Sequence, residues 1–285
     1  MKIYYENNTG EILDLMKWPY KIRESEFLSH EWSYTGTENS GKKNGGTIKN
    51  IRKKIAKNKI VVDIFAMSKS EYTSALERFL EVTEKDVMDE KPGKLYIDEY
   101  YYPCFIYASE KKEWERMTTY LQNELKIVSP YPLWCHELTK TFLKGNVKSG
   151  ETEKTGKLSY PYRYPYRYSV PNDAGFLVND HYAACDFKMI IYGPCVNPSI
   201  LINGHLYEVT STLYTGEYIV VDSRSNTVFR YLNDGRKENL FNWRHKDSSL
   251  FEKIPSGQCS VLWNTEAFGF DIVLFQERSE PKWIL

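Results

Sequence analysis

The sequence lacks the features that mark membrane, secreted and nucleic-acid-binding proteins. No apolar run approaches the ~18 residues of a membrane-spanning helix, and the segment 1–6 (MKIYYE) has no apolar stretch of the kind found in a secretory signal. Basic and acidic residues number 38 each, so the formal net charge is zero. Nucleic-acid binders usually carry a basic excess or a basic face. We therefore expect a protein made in a cytosol, with no membrane span and no sequence-specific binding to nucleic acid.

Motifs for catalysis and metal binding are also missing. There is no nucleophile-elbow G-x-S-x-G, Walker loop or dinucleotide glycine fingerprint. Asp180-His181 has no serine motif positioned to complete a triad. Cys135 and His136 are adjacent, so a strand would point them to opposite faces and a shared metal is not expected. No catalytic residue, metal site or cofactor is predicted, and the protein is not expected to be an enzyme.

The five cysteines are odd in number and lie far apart along the chain. This pattern favours reduced, mostly buried thiols over a disulfide framework. The cysteines are Cys104, Cys135, Cys185, Cys195 and Cys259.

Aromatic residues are abundant, at 15% of the chain with 23 tyrosines, and this composition favours half-buried β-sheet. Residues 3–15 predict a hairpin, and residues 59–66 predict a buried strand. Residues 36–46 contain no apolar side chain and predict a surface loop. In residues 113–128, the apolar spacing is helical while the residue types favour strand, so the pattern alone leaves both open.

One helix is predicted after Ser68. Ser68 and Glu71 form a capping-box pattern that satisfies free N–H groups at a helix start. Pro92-Gly93 would end the helix. The residues predicted to share its buried face are Tyr72, Ala75, Leu76, Phe79, Leu80 and Val87.

A compositional boundary follows at residues 144–171. Residues 144–157 are rich in Gly, Lys, Glu and Ser, and a tandem Tyr-Pro-Tyr-Arg repeat comes next. Proline favours extended geometry in the residue before it, so we interpret the repeat as a stiff interdomain strap, although it could also bind a proline-recognising groove. The strap consists of Tyr160, Pro161, Tyr162, Arg163, Tyr164, Pro165, Tyr166, Arg167 and Tyr168. From residue 175 on, short strands alternate with turns at the spacing of a β-sandwich.

Two charged stretches suggest a subunit interface. Residues 42–59 carry eight Lys or Arg and no acid, and an acidic stretch lies downstream over residues 81–99. Such runs are usually two solvated faces. The sharper hypothesis is that the basic stretch of one subunit meets the acidic stretch of its neighbour around a closed ring. The candidate interface residues are Lys42, Lys43, Lys49, Arg52, Lys53, Lys54, Glu84, Asp86, Asp89 and Glu90.

The order of short motifs along the chain resembles the distal tail protein family of long-tailed phages and prophages (Dit, the siphovirus-type tail component). The motifs that carry this resemblance are Asp86, Pro92-Gly93-Lys94-Leu95, Tyr100-Tyr101-Tyr102-Pro103-Cys104, Pro132-Leu133-Trp134, the Tyr-Pro-Tyr repeat, Ile191-Tyr192-Gly193-Pro194, Asn197-Pro198, Ile202-Asn203-Gly204, Gly216-Glu217-Tyr218, Val221-Asp222-Ser223 and Glu277-Arg278-Ser279 to Trp283.

The resemblance implies a mainly β chain. Its parts would be an N-terminal ring-forming β-sandwich with one helix (1–143), a linker (144–174) and a C-terminal galectin-like β-sandwich (175–285). It also implies strand rather than helix for residues 113–128. The expected role is structural, without catalytic residues or cofactor.

The protein would form a homohexameric ring in the virion tail, joining the tail tube to the tail-tip hub or baseplate and leaving a channel for DNA. Receptor-binding proteins are further expected partners. A net charge of zero fits a channel that lets DNA pass.

Two alternatives come from other functional classes. A carbohydrate-binding module for host cell-wall glycan would use exposed Trp or Tyr side chains of the C-terminal domain, although Trp243, Trp263 and Trp283 fit a core or an interface equally well. A wall hydrolase would need a cleft with a perturbed acid or base, and the sequence offers no candidate pair.

Reversing the charges of Lys53 and Lys54 to Glu tests the charged interface. If these cations face a neighbour's carboxylates, the variant will assemble less well than the parent protein. Light scattering on a size-exclusion column measures this, and unchanged assembly contradicts the hypothesis.

Overall fold

A computed structural model describes residues 1–26, 28–39, 41, 44–114, 118–145 and 172–282. The chain divides into two compact units. Unit 1 comprises Met1–His136 together with the segment from Glu277 on, and unit 2 comprises Glu137–Gln276. The predicted domain boundaries at 143 and 175 stay predictions. In the described ranges, no helix is long and apolar enough to cross a membrane.

The helix and strands begin and end as follows. The first half contains β1 (Ile3–Glu6), β2 (Ile12–Asp14), β3 (Tyr20–Ser25), β4 (Ser33–Glu38), β5 (Gly46–Arg52), β6 (Ala56–Phe65), α1 (Lys69–Met88), β7 (Gly93–Ile97), β8 (Tyr100–Trp114), β9 (Tyr120–Ser129) and β10 (Trp134–Phe142). The second half contains β11 (Asn172–Asn179), β12 (Asp186–Tyr192), β13 (Cys195–Val196), β14 (Ser199–Ile202), β15 (His205–Glu208), β16 (Thr212–Leu213), β17 (Tyr218–Asp222), β18 (Thr227–Tyr231), β19 (Lys237–Asn239), β20 (Gly257–Asn264) and β21 (Phe270–Arg278).

The long strand β8 belongs to two sets of strands in unit 1. Its first part, up to Cys104, pairs with β7, and β7 continues to β1 and β2. From Phe105 on it pairs instead with β9, and β9 continues to β6 and β3. All of these pairings are antiparallel. One continuous strand therefore holds both sets around a single apolar core.

Helix α1 begins as predicted, with the Ser68 side chain accepting a hydrogen bond from the Glu71 N–H. The predicted buried face was partly wrong, because Leu80 and Val87 are exposed. Apart from Thr83, successive buried residues lie three or four positions apart along the helix. They form a narrower stripe than predicted, and this stripe is rotated around the helix by about one residue position relative to the predicted face. They are Tyr72, Ala75, Phe79, Val82, Thr83 and Asp86.

The N-terminal hairpin is confirmed by β1 and β2, which pair Tyr5 with Leu13. The buried strand predicted at residues 59–66 is confirmed by β6. Strand is also confirmed for the described part of residues 113–128, because β9 alternates between buried and half-buried positions over its ten residues. The helical spacing in this segment was therefore misleading.

The surface loop predicted at residues 36–46 is shorter than expected. Residues 36–38 belong to β4 and residue 46 belongs to β5, although all are exposed. A strand whose side chains are all exposed can form without apolar residues. The absence of apolar residues therefore did not distinguish a loop from a strand in this segment. Gly36 is required here because a Cβ at this position would lie 2.7 Å from the Thr47 carbonyl oxygen.

Unit 2 contains two larger antiparallel sheets with an apolar core. One has the order β21-β12-β17-β18-β19, and the other has the order β11-β20-β14-β15. The predicted succession of short strands and turns from residue 175 on is confirmed. A mainly β chain built from β-sandwich-like layers, with one α-helix among the described residues, is therefore confirmed.

The nine residues of the predicted strap lie outside the described residues, and so does Trp283. The flanks of the strap are informative. The Gly145 N–H donates to the Thr265 carbonyl at 2.9 Å, and Asn172 pairs with Asn264. Both flanks thus belong to unit 2 and are fixed at neighbouring residues. The role of the strap as an interdomain connection stays a prediction.

All five cysteine side chains are buried, as predicted. Burial raises the pKa of the Cys104 thiol to about 12 and that of Cys195 to about 11. Both thiols are therefore protonated near neutral pH and behave as small apolar groups.

A buried carboxylate connects the end of α1 to the N-terminal hairpin. Asp86 is fully buried. It accepts hydrogen bonds from the Tyr5 hydroxyl and from the Asn8 N–H, the latter at 2.6 Å. A Cβ on Gly93 would overlap both Asp86 and Tyr5. Glycine is therefore the residue that lets the chain pass this pair.

Asp86→Asn is expected to change how stability depends on pH. Burial raises the pKa of Asp86 above its ordinary value, against the opposing effect of its hydrogen bonds. The folded protein thus holds a proton that the unfolded chain releases above about pH 4. Stability should fall as the pH rises from there through the raised pKa, and the Asn variant should lose this slope. Urea unfolding over that pH range measures it.

Asp89→Asn is the matched control at the same helix end. The hydrogen bond from Lys85 lowers the pKa of Asp89, so its contribution has the opposite sign and is lost as the pH falls. An Asp86→Asn variant with the slope of the parent protein would contradict the assignment.

Tyr5→Phe should destabilise the protein by about 1–3 kcal/mol, because one buried carboxylate oxygen of Asp86 then loses its donor. The free energy of unfolding at neutral pH measures this loss.

Candidate functional site

Strands β4 and β5 form a hairpin that pairs with no other strand of the described chain. Tyr34 lies opposite Ile51, and Gly36 lies opposite Ile48. The register shifts between Thr35 and Gly36, and this bulge keeps Ile48 and Ile51 on the same face although they are three residues apart. The two faces of the hairpin therefore differ in chemistry.

One face is mostly apolar and open to solvent, with Glu38 as its charged residue near the turn. Tyr34, Ile48 and Ile51 share it, with 71%, 58% and 55% of their surface exposed. We call these three residues the hairpin stripe. The opposite face is wholly polar and carries Ser33, Thr35, Thr37, Thr47, Asn50 and Arg52.

An isolated two-stranded hairpin is at best marginally stable in water. This hairpin also exposes the unpaired edges of both strands and an apolar face, which proteins usually cover. The segment therefore has the properties of a docking element whose apolar face is buried by a partner.

The base of the hairpin is fixed by Lys53. Its ammonium donates to the Pro132 carbonyl at 3.1 Å and lies 5.3 Å from the centre of the Trp32 ring. Desolvation lowers the pKa of Lys53. These contacts hold the hairpin where it leaves the rest of unit 1.

A second apolar surface lies beside α1. A groove of about 520 Å³ is lined by side chains of α1 and of β8 and β9. Leu76 and Leu80 form its helical wall, with Leu80 42% exposed. Leu121 contributes to the floor. We call this the helix groove.

Acidic side chains follow the exposed side of α1 next to this groove. Glu77, Glu81 and Glu84 lie three or four residues apart, so they form one row on the helix. All three are exposed, and in the described part of the chain none of them forms an ion pair. The groove is therefore mostly apolar, with Lys111 and Lys112 on its β8 side and a row of negative charge on the helix side.

The predicted interface residues have different outcomes. Lys49, Arg52 and Lys54 are exposed, as are Glu84 and Glu90, and their role at an interface stays a prediction. Lys42 and Lys43 lie outside the described residues.

The prediction for Asp86 is wrong, whereas those for Lys53 and Asp89 stay predictions although both side chains form contacts within the chain. Asp86 is buried and bonded within the chain, so it is not accessible to a partner. The Lys53 ammonium is engaged within its own chain at Pro132, and Asp89 pairs with Lys85 at 3.1 Å.

The sequence reasoning missed the hairpin stripe and Glu77, and it placed Glu81 in the acidic stretch without naming it as an interface residue. Alternation of β-branched and aromatic residues around Tyr34 and Ile48 is a strand signal, but the surrounding Gly, Asn and Lys residues hid it. Among the described residues, no group of three or more His, Cys, Asp or Glu could hold a metal ion.

Comparison of the sequence with models of known protein families and with curated proteins finds no match. The structure does match solved structures. The crystal structure of the Dit protein of phage SPP1, described as a hub adsorption apparatus of phages that infect Gram-positive bacteria, matches with a TM-score of 0.61 and 10% identity. The match covers 97% of this chain and 98% of that one.

Two structures of the activated baseplate of phage P2, one with calcium and one with strontium, match with TM-scores of 0.60 and 13% identity. Each match covers 98% of this chain and 99% of the baseplate chain. Over almost its whole length, the chain therefore has the fold of phage Dit and baseplate proteins.

Proposed function

We propose that the protein is a structural component of a phage or prophage-derived tail. In this role it forms a ring at the distal end of the tail, joins the tail tube to the tip hub or baseplate, and leaves a central channel for DNA. The observation that carries the proposal is the match in fold over 97–98% of the chain, which also covers 98–99% of the matched proteins. A shared domain alone would leave part of one chain unmatched.

The two surfaces of unit 1 suggest how copies join. We infer that the hairpin stripe of one copy packs into the helix groove of the next. Both surfaces are apolar, and Lys49 at the bulge of the hairpin carries a charge opposite to that of Glu77 and Glu81 beside the groove. A head-to-tail contact between two different surfaces repeats around an axis and can close into a ring.

The solution mass of the purified protein tests the ring directly. Light scattering on a size-exclusion column should give a closed oligomer near six copies. A protein that stays monomeric at every attainable concentration contradicts a self-assembling ring.

Replacing the apolar stripe should weaken assembly without unfolding the protein. In Ile48→Thr/Ile51→Thr, strand propensity is kept while two contact side chains lose apolar surface. Burial of one such side chain stabilises by about 1.5–3 kcal/mol. The concentration at which half of the protein is assembled should therefore rise at least about tenfold.

The matched control is Thr35→Ser/Asn50→Thr on the polar face of the same hairpin. This variant should assemble like the parent, and the free energy of unfolding of both variants should stay within about 0.5 kcal/mol of the parent because the sites are exposed. Equal effects of the two variants on assembly would contradict docking through the stripe.

Exchanging the charges tests which surfaces meet. Lys49→Glu should weaken assembly several-fold, since it places like charges opposite each other. Adding Glu77→Lys/Glu81→Lys to the same chain should restore assembly towards the parent level at low salt. If the combined variant is weaker than either charge reversal alone, these two surfaces do not face each other.

A further inference from the structure

In unit 2, tyrosines form a row across the outer face of the sheet β21-β12-β17-β18-β19. Tyr192 pairs with Tyr218, Tyr218 with Tyr231, and Tyr231 with Lys237. Cross-strand partners share a face. The core residue Ile191 points the other way, so the row faces solvent. The rings of Tyr218 and Tyr231 are parallel, with their centres 4.9 Å apart.

At one end of this row, Asp271 has an incompletely used carboxylate. The Tyr192 hydroxyl donates to Asp271 Oδ2 at 2.7 Å, and this bond, together with burial, raises the pKa of Tyr192 to about 12. The other oxygen, Oδ1, is buried but accepts no hydrogen bond within the described residues. Buried polar atoms normally have a partner, so Asp271 is an unusual carboxylate on this face of the sheet.

A small pocket of about 180 Å³ opens at the same place. Tyr192, Asp271 and Lys144 line it, together with apolar side chains and glycine backbone. Its volume is that of about six water molecules at ~30 Å³ each, which is enough for one sugar ring. The pocket lies entirely within unit 2.

The chemistry of the lining selects a hydroxyl-bearing, uncharged ligand. A carboxylate accepts hydrogen bonds and an ammonium donates them, and a hydroxyl group can serve both at once. A net anion would meet Asp271, and a net cation would meet Lys144. The outer face of the sheet has the same balance, because Lys188 and Lys237 are matched by Asp222 and Asp271.

We propose that this pocket binds one unit of a neutral glycan through Asp271 and Lys144, and that the tyrosine row contacts the units that follow. At the edge of the pocket, the ring of Tyr192 supplies an aromatic surface with a polar hydroxyl. The hydroxyls of Tyr218 and Tyr231 extend the polar contacts along the sheet. Concave sites with a few convergent polar groups are the usual form of small-molecule sites. This glycan site is independent of ring assembly.

The test measures binding of methyl glycosides of glucose, galactose, rhamnose and N-acetylglucosamine to the full-length protein. Saturation-transfer NMR detects binding, and titration gives the affinity. We expect saturable binding of at least one glycoside. Asp271→Asn keeps the side-chain shape and an acceptor for Tyr192 but removes the charge, and it should weaken binding at least about tenfold, since hydrogen bonds to charged groups are the strong ones.

Glu208→Gln is the matched control, because it removes a carboxylate from the other sheet of unit 2. It should leave affinity unchanged. Lys144→Met removes the hydrogen-bond donor and should also weaken glycoside binding. This variant tests the proposal independently if thermal unfolding shows that Asp271→Asn is unstable. Absence of saturable binding for all four glycosides overturns the proposal. Binding that neither Asp271→Asn nor Lys144→Met weakens also overturns it.

Discussion

The continuity of β8 is the constraint on which the rest of unit 1 depends. Its first residues pair with β7 and its later residues pair with β9, so the two groups of strands cannot separate without breaking one backbone. Helix α1 then closes the core by burying Phe79 and Val82. Its last turn is fixed by the bond between Asp86 and Tyr5 of β1. Strand, helix and hairpin therefore stabilise one another rather than adding independent contributions.

The exposed hairpin is a consequence of this closed arrangement. Neither β4 nor β5 contributes a buried residue to the apolar core of unit 1, and among the described residues the two strands pair only with each other. Their apolar side chains consequently stay in water unless another molecule covers them. In unit 2, by contrast, apolar side chains on the outer sheet face are only half exposed and lie among charges of both signs. The two surfaces thus suit different partners, a protein surface in the first case and a small polar ligand in the second.

Most of the fold could be predicted from the sequence where local chemistry decides the structure. The Ser68 cap and the N-terminal hairpin depend on neighbours in the chain. Local chemistry was not sufficient where tertiary contacts decide. The residue pattern left helix and strand open for residues 113–128, and β6 and β8 flank residues 120–128 on both sides and select strand. Asp86 belongs to a charged run in sequence, but its neighbour in space is Tyr5, which is 81 residues away.

The candidate sites were harder to predict from the sequence than the fold, because each combines residues from strands that are distant in sequence. Nothing near Lys144 indicates that it shares a pocket with Asp271, and Tyr34 and Ile51 become neighbours only through the register of a hairpin with a bulge. A bulge of one residue determines whether Ile48 and Ile51 share a face or lie on opposite faces. The apolar stripe on which assembly is proposed to depend is therefore set by a backbone irregularity that composition and charge do not encode.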